Sequence, residues 1–401
     1  MTAPLPVRLD GAAFKADPQP TFAAMRAAGP VVRVRVPFLG KVWTTSTHAA
    51  TRAAVKSDGL VLEGRNAGRR SGVAGLRWWM PRTLKRLTHN MLSKDDPDHR
   101  RLRKLVDRAF ARRNVQGMRS DVEGCADRLL DAMSGETDLV AAYARRLPLA
   151  VIADLLDVAP DRRDTFAALT AKALSISSTI DILRASGALR RVNRFIEEEI
   201  ETTRREDRNG LIGELVRAEA DGERLSHEEL VAMIFLLLVA GFETTTHLIA
   251  TSVIALEESP DQKAWCLADE TRAERAVEEL ARFTTPVQMT KPRFVARSMV
   301  LEGVALSRGE IVMPCLAAAN ADPATFEEPD RLILDRFPNP HLVFSSGVHF
   351  CLGMQLARIE AQVALTRLYE RFPNLRLAST DLDWLPRLGL RGVRSLPVRL
   401  N

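Results

Sequence analysis

The sequence has little cysteine, few aromatic residues and no apolar run of membrane-spanning length. Its 401 residues include four cysteines, none of them in a CxxC pair, and aromatic residues make up 5% of the chain. Widely spaced cysteines argue against a disulfide scaffold or a zinc site and favour a reducing compartment. The longest apolar run, from Val231 to Phe242, is shorter than the roughly 20 residues that cross a bilayer. The N-terminus also lacks the apolar core of a signal peptide, so we expect a cytoplasmic protein with no membrane span.

The rest of the composition is that of an ordinary globular protein, with 46% hydrophobic and 27% charged residues. The stretch "VVRVRVPFLGKVWTTS" alternates apolar and polar residues around Leu39-Gly40, which predicts a β-hairpin. The clearest helical pattern runs from Leu225 to Leu256, and Ser226 and Glu229 at its start have the spacing of a capping box.

Helical periodicity dominates elsewhere. In "DDPDHRRLRKLVDRAFARR" a proline stands at a first-turn position behind acidic residues. Seven prolines between Thr284 and Pro340 predict an irregular segment. Other helices are predicted across roughly 120–206, over Asp269–Phe283 and from Cys351 onward. Because we find no repeat and no low-complexity linker, we expect residues 1–401 to form one domain, mainly α with a small β part.

Positive charge is unevenly distributed along the chain. The net charge is +6, but the stretch from Arg65 to Arg113 alone carries fifteen Lys and Arg against four Asp. Nucleic acid is the first interpretation of such a stretch. An acidic protein partner, attracted by electrostatic steering, is the second. A solvated basic surface is the third.

One cysteine lies in a distinctive setting. The stretch "FSSGVHFCLG" places Phe344, Gly347, Cys351 and Gly353 in a glycine-containing loop before a predicted helix. Backbone N–H groups and the helix dipole favour a thiolate at such a position, and glycines allow the backbone to approach something flat and large. A thiolate held in this way suits a metal with one protein bond, such as haem iron. The alternative is a buried cysteine that acts as a small hydrophobic residue.

Polar residues interrupt the long apolar helix at "AGFETT", Ala240 to Thr245. Thr244 can bond back to the Ala240 carbonyl and open the helix locally, and Gly241 would leave room for a diatomic ligand. Glu243 and Thr244 would then form a proton-delivery pair beside that room. The alternative is a glycine-kinked core helix with a satisfied threonine and an outward-facing glutamate.

These stretches together resemble the cytochrome P-450 superfamily, and the resemblance covers most of the chain because the motifs follow the family's order. "FSSGVHFCLGMQLAR" is similar to the family's haem-ligand loop, and "AGFETT" is similar to the motif that activates oxygen on the opposite haem face. The resemblance implies the cytochrome P-450 fold, with haem b buried between a long central helix and a cysteine-ligand loop. It implies that Cys351 is the axial cysteinate. The other haem contacts that it implies in these two motifs are Phe344, Gly347, Gly353, Ala240 and Gly241.

Two further sets of residues take their roles from this resemblance. "EELAR" is similar to the family's ExxR motif, a structural pair of Glu279 and Arg282 below the haem, with Arg336 as the expected third member and Arg331 as the alternative. A buried haem also needs cations for its two propionates. The positions that match the family's propionate ligands are His99, Arg103, Arg293 and His349.

The resemblance implies a monooxygenase that inserts one oxygen atom from O2 into a C–H or C=C bond. We find no convincing GxGxxG motif after a strand, so electrons are expected from separate proteins. The resemblance implies that these are a ferredoxin or flavodoxin and an NAD(P)H-dependent reductase, and that the basic helix lies on the cysteine side of the haem. This favours an acidic protein partner over nucleic acid as the ligand of the basic stretch. The resemblance also implies a monomer. The expected docking patch consists of Arg100, Arg101, Lys104, Arg108 and Arg112.

Predictions for the substrate pocket depend on helical spacing and on the family's pocket segments. An aliphatic lining favours a small, apolar organic substrate, and the glycine-containing stretch from Glu63 to Met91 is expected to close over it. The expected pocket residues are Leu236, Val239, Gln288, Met289, Val393 and Arg394.

Three alternatives remain at this stage. A haem-binding sensor or carrier would need Cys351 but not the Glu243–Thr244 pair. A peroxide-driven peroxygenase of the same fold would replace that pair, which is intact here. A helical nucleic-acid binder would leave the cysteine loop unexplained.

The chain departs from the family's pattern at Ser345, where glycine is common, at Ala321, where arginine is often found, and in "DRLILDR", which lacks the usual Phe-Asp.

Overall fold

Helices account for most of the protein in the computed structural model. The structure describes residues 5, 7–9, 11–37, 39–69, 89–112, 115–163, 165–166, 168–169, 179–220, 225–267 and 269–400. Within these ranges, the helices are α1 (Ala12–Ala16), α2 (Gln19–Ala28), α3 (His48–Lys56), α4 (Asp98–Arg112), α5 (Arg119–Asp131), α6 (Arg146–Leu156), α7 (Thr179–Glu206), α8 (Leu211–Ala220), α9 (His227–Glu257), α10 (Pro260–Leu267), α11 (Ala273–Thr284), α12 (Leu316–Asn320) and α13 (Met354–Arg371).

The β part is small, as the sequence predicts. Its strands are β1 (Val31–Val36), β2 (Gly40–Thr45), β3 (Leu60–Val61), β4 (Glu136–Asp138), β5 (Arg293–Val295), β6 (Met299–Leu301), β7 (Val304–Leu306), β8 (Ile311–Met313), β9 (Arg376–Leu377) and β10 (Pro397–Arg399). The largest sheet has the order β1-β2-β8-β5-β3, and smaller sheets are β4-β10-β9 and β6-β7.

The predicted hairpin is confirmed by the antiparallel pairing of β1 with β2. Val34 lies opposite Val42, and Val36 lies opposite Gly40. Along β1 the valines are buried, whereas Arg35 is exposed, because alternate side chains of a strand point to opposite faces of the sheet. Gly40 has a positive φ of 77°, a conformation that glycine adopts without steric cost in a tight turn.

The long helix α9 lies in the middle of the helical layer. Ser226 caps its start: the Ser226 hydroxyl accepts a hydrogen bond from the Glu229 N–H at 3.3 Å. The Glu229 carboxylate accepts one from the Ser226 N–H at 2.9 Å, so the predicted capping box is confirmed. The helix packs against α6, α11 and α13. It is long and apolar enough to cross a membrane by length and composition, but 67% of its most apolar window is buried within the fold.

The structure corrects several predicted boundaries. The last helix begins at Met354, not at Cys351, because Cys351 still lies in the loop and Gly353 is the N-cap. Pro97 lies just before α4 instead of in its first turn, and its carbonyl accepts the hydrogen bond of the Arg101 N–H. The segment predicted as irregular contains strands β5 to β8 and the short helix α12. Most of the stretch expected to close over the substrate, residues 70–88, lies outside the described residues.

Candidate active site

The loop before α13 holds Cys351 by its backbone. The Cys351 N–H donates to the Phe344 carbonyl at 3.0 Å, which closes the loop between them. Gly347 has a φ of 76°, and a Cβ there would lie 3.1 Å from the Val55 carbonyl oxygen. Ser345 also has a positive φ, of 60°. The left-handed region explains why glycine suits both positions, and at Gly347 the close approach of Val55 adds a second reason.

The surroundings of the Cys351 thiol have two opposite effects on its pKa. Burial raises the pKa of Cys351, and this is the largest effect. The Gly353 N–H, which hydrogen-bonds to Cys351, and the charges of Arg103 and Arg358 lower the same pKa. Donors and cations of this kind favour a thiolate, so the loop is built to support an anionic sulfur once a bound cation offsets the cost of burial.

The structure brings the four predicted anion-binding residues together beside this loop. The rings of His99 and His349 lie 4.2 Å apart between their centres. Arg103 donates to the Phe350 carbonyl at 2.7 Å, which joins α4 to the cysteine loop. Arg293 donates through Nη1 to the Val55 carbonyl at 3.2 Å, while its buried Nε has no hydrogen-bond partner among the described residues.

A fifth cationic residue near this cluster is absent from the sequence predictions. Lys291 donates through Nζ to the Ser93 hydroxyl at 2.7 Å. Burial lowers the pKa of Lys291 to about 8, and its charge acts on His349. The sequence feature that could have identified Lys291 is its position two residues before Arg293 in an extended segment, where both side chains point to the same face.

Thr244 differs from its neighbours on α9 by its exposure and not by its hydrogen bond. Its hydroxyl donates to the Ala240 carbonyl at 2.9 Å, as the sequence predicts. Thr245 and Thr246 make the same type of bond four residues back, but each is only 2% exposed, whereas Thr244 is half-buried and Ala240 is exposed. The expected local opening of the helix is wrong, because α9 is continuous through these residues.

Glu243 has an ion-pair partner that the sequence did not reveal. The Glu243 carboxylate pairs with Arg387, which lies in the segment between α13 and β10. Burial raises the pKa of Glu243, and Arg387 and Arg145 act in the opposite direction. A buried carboxyl group with a raised pKa, next to a cation, is suited to holding and releasing a proton.

One turn further along α9, His247 is buried behind Glu243. Burial and the charges of Arg387 and Arg145 lower its pKa to about 3, and its Nδ1 has no hydrogen-bond partner in the described part of the chain. A Cβ at Gly392 would come within 2.1 Å of this ring, so the glycine at position 392 is what allows the histidine to fit.

Gly241 has a packing role that differs from the predicted one. A Cβ at this position would lie 2.9 Å from the Ile152 Cδ1 atom of α6. The missing side chain therefore makes room for Ile152, and the expectation that it makes room for a diatomic ligand stays a prediction. The open position on α9 is at Ala240.

Glu279 and Arg282 form the centre of a buried polar network. Both Arg282–Glu279 hydrogen bonds measure 2.7 Å. Arg336 donates through Nε to both Glu279 oxygens at 3.1 Å, so Arg336 is the third member. Arg331 instead pairs with Glu328 at the surface. Glu279 is 0% exposed and Arg282 is 2% exposed, and at this depth charged groups need the full set of partners that they have here.

Four of the six predicted pocket residues do not face an open space. Gln288 is 1% exposed and accepts a hydrogen bond from Lys15 of α1. Met289 packs into the sheet-side core, Val393 is fully buried, and Arg394 pairs with Asp383 at the surface. The predictions for Gln288 and Met289 are wrong because residues 286–289 are covered by residues 389–391 through backbone hydrogen bonds. Those for Val393 and Arg394 are wrong because Val393 packs in the main core and Arg394 lies at the surface.

The two pocket predictions on α9 agree better with the structure. Val239 is half-buried next to the exposed Ala240. Leu236 lies one turn before Ala240 on the same helix face and is 9% exposed. Both residues stay predictions for the pocket lining.

The expected docking patch is partly occupied by internal contacts. Arg101 pairs with Glu229 at the start of α9 at 2.6 Å, so its inclusion in a free surface patch is wrong. Arg100 is exposed and pairs with Asp96 in the turn just before α4, and Lys104 and Arg108 are exposed. The side chain of Arg112 lies outside the described residues.

These residues fit a haem. Arg293 has a buried Nε without a partner among the residues described, Gly353 faces open space where a Cβ would lie, and Ala240 is exposed in the middle of a buried helix. A flat, anionic group with a soft metal would fit these features together, with Cys351 as the single protein ligand. A mainly helical fold with such a cysteine loop defines a haem-thiolate protein.

Comparison with known proteins supports this class. Residues 184–381 match the family model of cytochrome P450. The chain is 38% identical over 396 residues to the cytochrome P450 monooxygenase PikC of Streptomyces venezuelae, covering 97% of this chain and 92% of the relative. It is also 38% identical over 393 residues to the vitamin D(3) 25-hydroxylase of Pseudonocardia autotrophica, covering 97% and 95% respectively.

A solved structure agrees with this assignment. The myxobacterial cytochrome P450 CYP267B1 in complex with myristic acid superposes with a TM-score of 0.90 at 34% identity, covering 98% of each chain. The chain belongs to the cytochrome P450 family. It is a P450 monooxygenase, an oxidoreductase that uses haem with a cysteine ligand.

Proposed function

We propose that this P450 oxidises an apolar organic substrate, with Cys351 as the iron ligand and Glu243 and Thr244 as the proton-delivery pair. The observation that carries the proposal is the environment of Cys351: His99, His349 and Arg103 surround its loop. The bound haem would supply the activation of O2 and the transfer of one oxygen atom to the substrate.

The protein's own residues have separate tasks in this scheme. The Phe344 carbonyl and the Gly353 N–H hold Cys351 in place. His99, Arg103, Arg293 and His349 would bind the two propionates. Thr244 presents its hydroxyl to the open face at Ala240, and Glu243 holds a proton one residue away. The buried residues of α9 on either side exclude water from this face.

The two other candidate functions gain less support. A sensor or carrier has no need for a carboxyl group with a raised pKa beside a half-buried hydroxyl. A peroxygenase takes its oxygen from peroxide and does not depend on proton delivery by this pair. Steady NAD(P)H consumption with product formation, lost in Thr244→Ala, is the outcome expected of the monooxygenase.

An apolar substrate is supported by Leu236 and Val239 beside Ala240, which are the aliphatic residues nearest the open face. The names of two relatives point in the same direction, since one is a vitamin D(3) hydroxylase and the other binds myristic acid. We propose a substrate of this general kind, a largely hydrocarbon molecule with few polar groups.

We propose that a ferredoxin or flavodoxin, reduced by an NAD(P)H-dependent reductase, docks beside the cysteine loop. Val348 and Phe350 are exposed apolar residues next to Cys351, with 58% and 37% exposure. Arg103 joins this loop to α4, whose Lys104 and Arg108 are exposed. An apolar centre with a basic rim fits an acidic redox protein.

Charge reversal tests the docking surface. Lys104→Glu and Arg108→Glu should slow electron transfer and weaken its dependence on salt. Arg297→Glu, an exposed arginine that pairs with Asp58 on the sheet side, is the matched control and should leave both unchanged. Equal effects of all three variants would remove this surface from the proposal.

We further propose that residues 1–401 act as a single-domain monomer in the cytoplasm. None of the four cysteines forms a disulfide, which suits a reducing compartment. Sedimentation equilibrium would test the monomer, and a mass of two or more chains would contradict it.

The first experiment is a spin-state titration of the purified protein. Its haem absorbance is recorded while terpenoids, fatty acids, steroids, aromatics and macrolide-like compounds are added. A low-spin to high-spin shift with one class would identify the class that displaces water from the iron. Cys351→Ala should abolish the thiolate-type spectrum, and an unchanged spectrum would sink the assignment of the ligand.

A further inference from the structure

Lys291 is a cationic residue whose position and partners are not explained by the fold. It lies in the extended segment before β5, two residues before Arg293. Residues at i and i+2 of an extended chain share a face and lie about 7 Å apart along it. Lys291 and Arg293 therefore present two cationic side chains to the same side, and His349 lies within reach of both charges.

The partners of Lys291 leave its charge uncompensated. Its amine donates to the neutral Ser93 hydroxyl at 2.7 Å, and no carboxylate among the described residues forms an ion pair with it. Asp95, the acid whose charge acts on Arg293, is engaged by the Leu62 and Glu63 N–H groups and by Asn66. Burying a charged ammonium group without an anionic partner costs free energy.

Arg293 has the same deficit. Its Nη1 donates to a neutral carbonyl, and its buried Nε has no partner within the ranges that the structure describes. Two neighbouring cationic donors on one face, each lacking an anion, form a site for a carboxylate, because charge-assisted hydrogen bonds are the strong ones. Burial lowers the pKa of Lys291 to about 8, and a bound carboxylate would raise that pKa again.

We propose that Lys291 binds a carboxylate group in the space that it shares with Arg293 and His349. The inference rests on the proposed function, since the carboxylate belongs either to a haem propionate or to an acidic substrate. It adds a residue to the four that the sequence predicts for the propionates. Lys291 is a positioning residue in the first case and a specificity-determining residue in the second.

The haem arm of the test uses the purified holoprotein. Lys291→Gln removes the charge at similar length, and Lys291→Arg keeps it. If the carboxylate is a propionate, haem transfer to an excess of apomyoglobin should be about tenfold faster in Lys291→Gln, as expected for the loss of one charge-assisted bond. The midpoint potential of the haem should become more negative, and Lys291→Arg should restore both values.

The substrate arm compares a long-chain fatty acid with its methyl ester in spin-state titrations. If the carboxylate belongs to the substrate, the wild-type protein should bind the acid about tenfold more tightly than the ester, and Lys291→Gln should lose this preference. Haem transfer would then be unchanged. Lys94→Gln is the matched control, because Lys94 is a half-buried lysine next to Ser93 that already pairs with Glu63 at 3.2 Å.

The inference is overturned if Lys291→Gln folds normally by circular dichroism but leaves haem transfer, midpoint potential and the acid–ester preference at wild-type values. Equal changes in Lys291→Gln and Lys94→Gln would also overturn it, since they would reflect general destabilisation. The proposed function fails separately, through a wild-type protein without a thiolate-type haem spectrum.

Discussion

Glu243 and Arg387 form an ion pair that joins the central helix α9 to the chain segment after α13. The two residues are 144 positions apart in the sequence, so no local pattern relates them. The pair fixes the carboxyl group beside Thr244 and sets the balance between burial, which raises the pKa of Glu243, and positive charge, which lowers it.

Removal of Arg387 should shift the pH dependence of coupled turnover. In Arg387→Gln the pKa of Glu243 should rise, because the charge and the hydrogen bond that lower it are lost. Glu243 then stays protonated to higher pH, so the alkaline limb of product formation should move up by about one pH unit.

The control for this change is Arg394→Gln, from the same segment, which removes a surface ion pair with Asp383 and should not move the profile. An unshifted limb in a folded Arg387→Gln variant would mean that Glu243 does not control the proton supply.

Thr244→Ala and Thr246→Ala should separate catalysis from packing. Both hydroxyls donate to the carbonyl four residues back, at 2.9 Å and 2.8 Å, but only Thr244 reaches the open face. Thr244→Ala should release more oxygen as peroxide and less as product for each NAD(P)H consumed. Thr246→Ala should keep the coupling ratio and lose about 1 kcal/mol of stability through its buried hydrogen bond. The product-to-NAD(P)H ratio is measured together with urea unfolding, and equal coupling in both variants would contradict the role of Thr244.

The network around Glu279 should be a main determinant of stability. Glu279→Gln would leave the buried Arg282 without its charge partner, and we expect a loss of about 3–5 kcal/mol in the free energy of unfolding. Arg336→Gln should also destabilise, because its Nε donates to both Glu279 oxygens. Arg331→Gln should keep the wild-type unfolding midpoint, since the Arg331 side chain pairs with Glu328 at the surface. If Arg331→Gln and Arg336→Gln behaved alike in urea, the assignment of the third member would be wrong.

His247 should make the protein less stable in acid. The pKa of His247 in the folded protein is about 3, below the ordinary value of 6.5. As the pH falls, His247 is therefore protonated in the unfolded chain before it is protonated in the folded protein. The contribution of neutral His247 to the free energy of unfolding is fully present above pH 6.5 and falls as the pH drops toward 3. At pH 5 the loss should be about 2 kcal/mol relative to pH 7.

Urea unfolding of the wild-type protein and His247→Gln at pH 7 and pH 5 checks this value. The variant should lose less stability over that interval than the wild type does. Equal losses of stability in the wild type and in His247→Gln would contradict the prediction and would show that His247 is solvated in the folded protein.

The sequence predicts most of what depends on local spacing. The capping box at Ser226 and Glu229, the hairpin at Leu39-Gly40 and the bond from Thr244 to Ala240 follow from neighbours within a few residues, and the structure confirms them. Ser345 shows why the family's pattern has glycine there: its φ is 60°, and a non-glycine residue in that region carries strain.

The sequence fails where a residue depends on a distant one. Arg387 and Lys291 have no motif, because their roles come from a contact with Glu243 and from burial beside Ser93. The pocket predictions at Gln288 and Arg394 failed for the same reason. Whether these side chains face a cavity depends on how α1 and Asp383 pack around them, which one-dimensional spacing does not encode.

Glu229 limits which residues of α4 can be varied to change the preference for a redox partner. The same carboxylate closes the cap of α9 and pairs with Arg101 of α4. A charge library on α4 that includes Arg101 would disturb the start of the 31-residue helix that bears Thr244, and loss of activity would then be misread as loss of docking. Libraries built on Lys104 and Arg108, with Arg101 held fixed, would report on the partner alone.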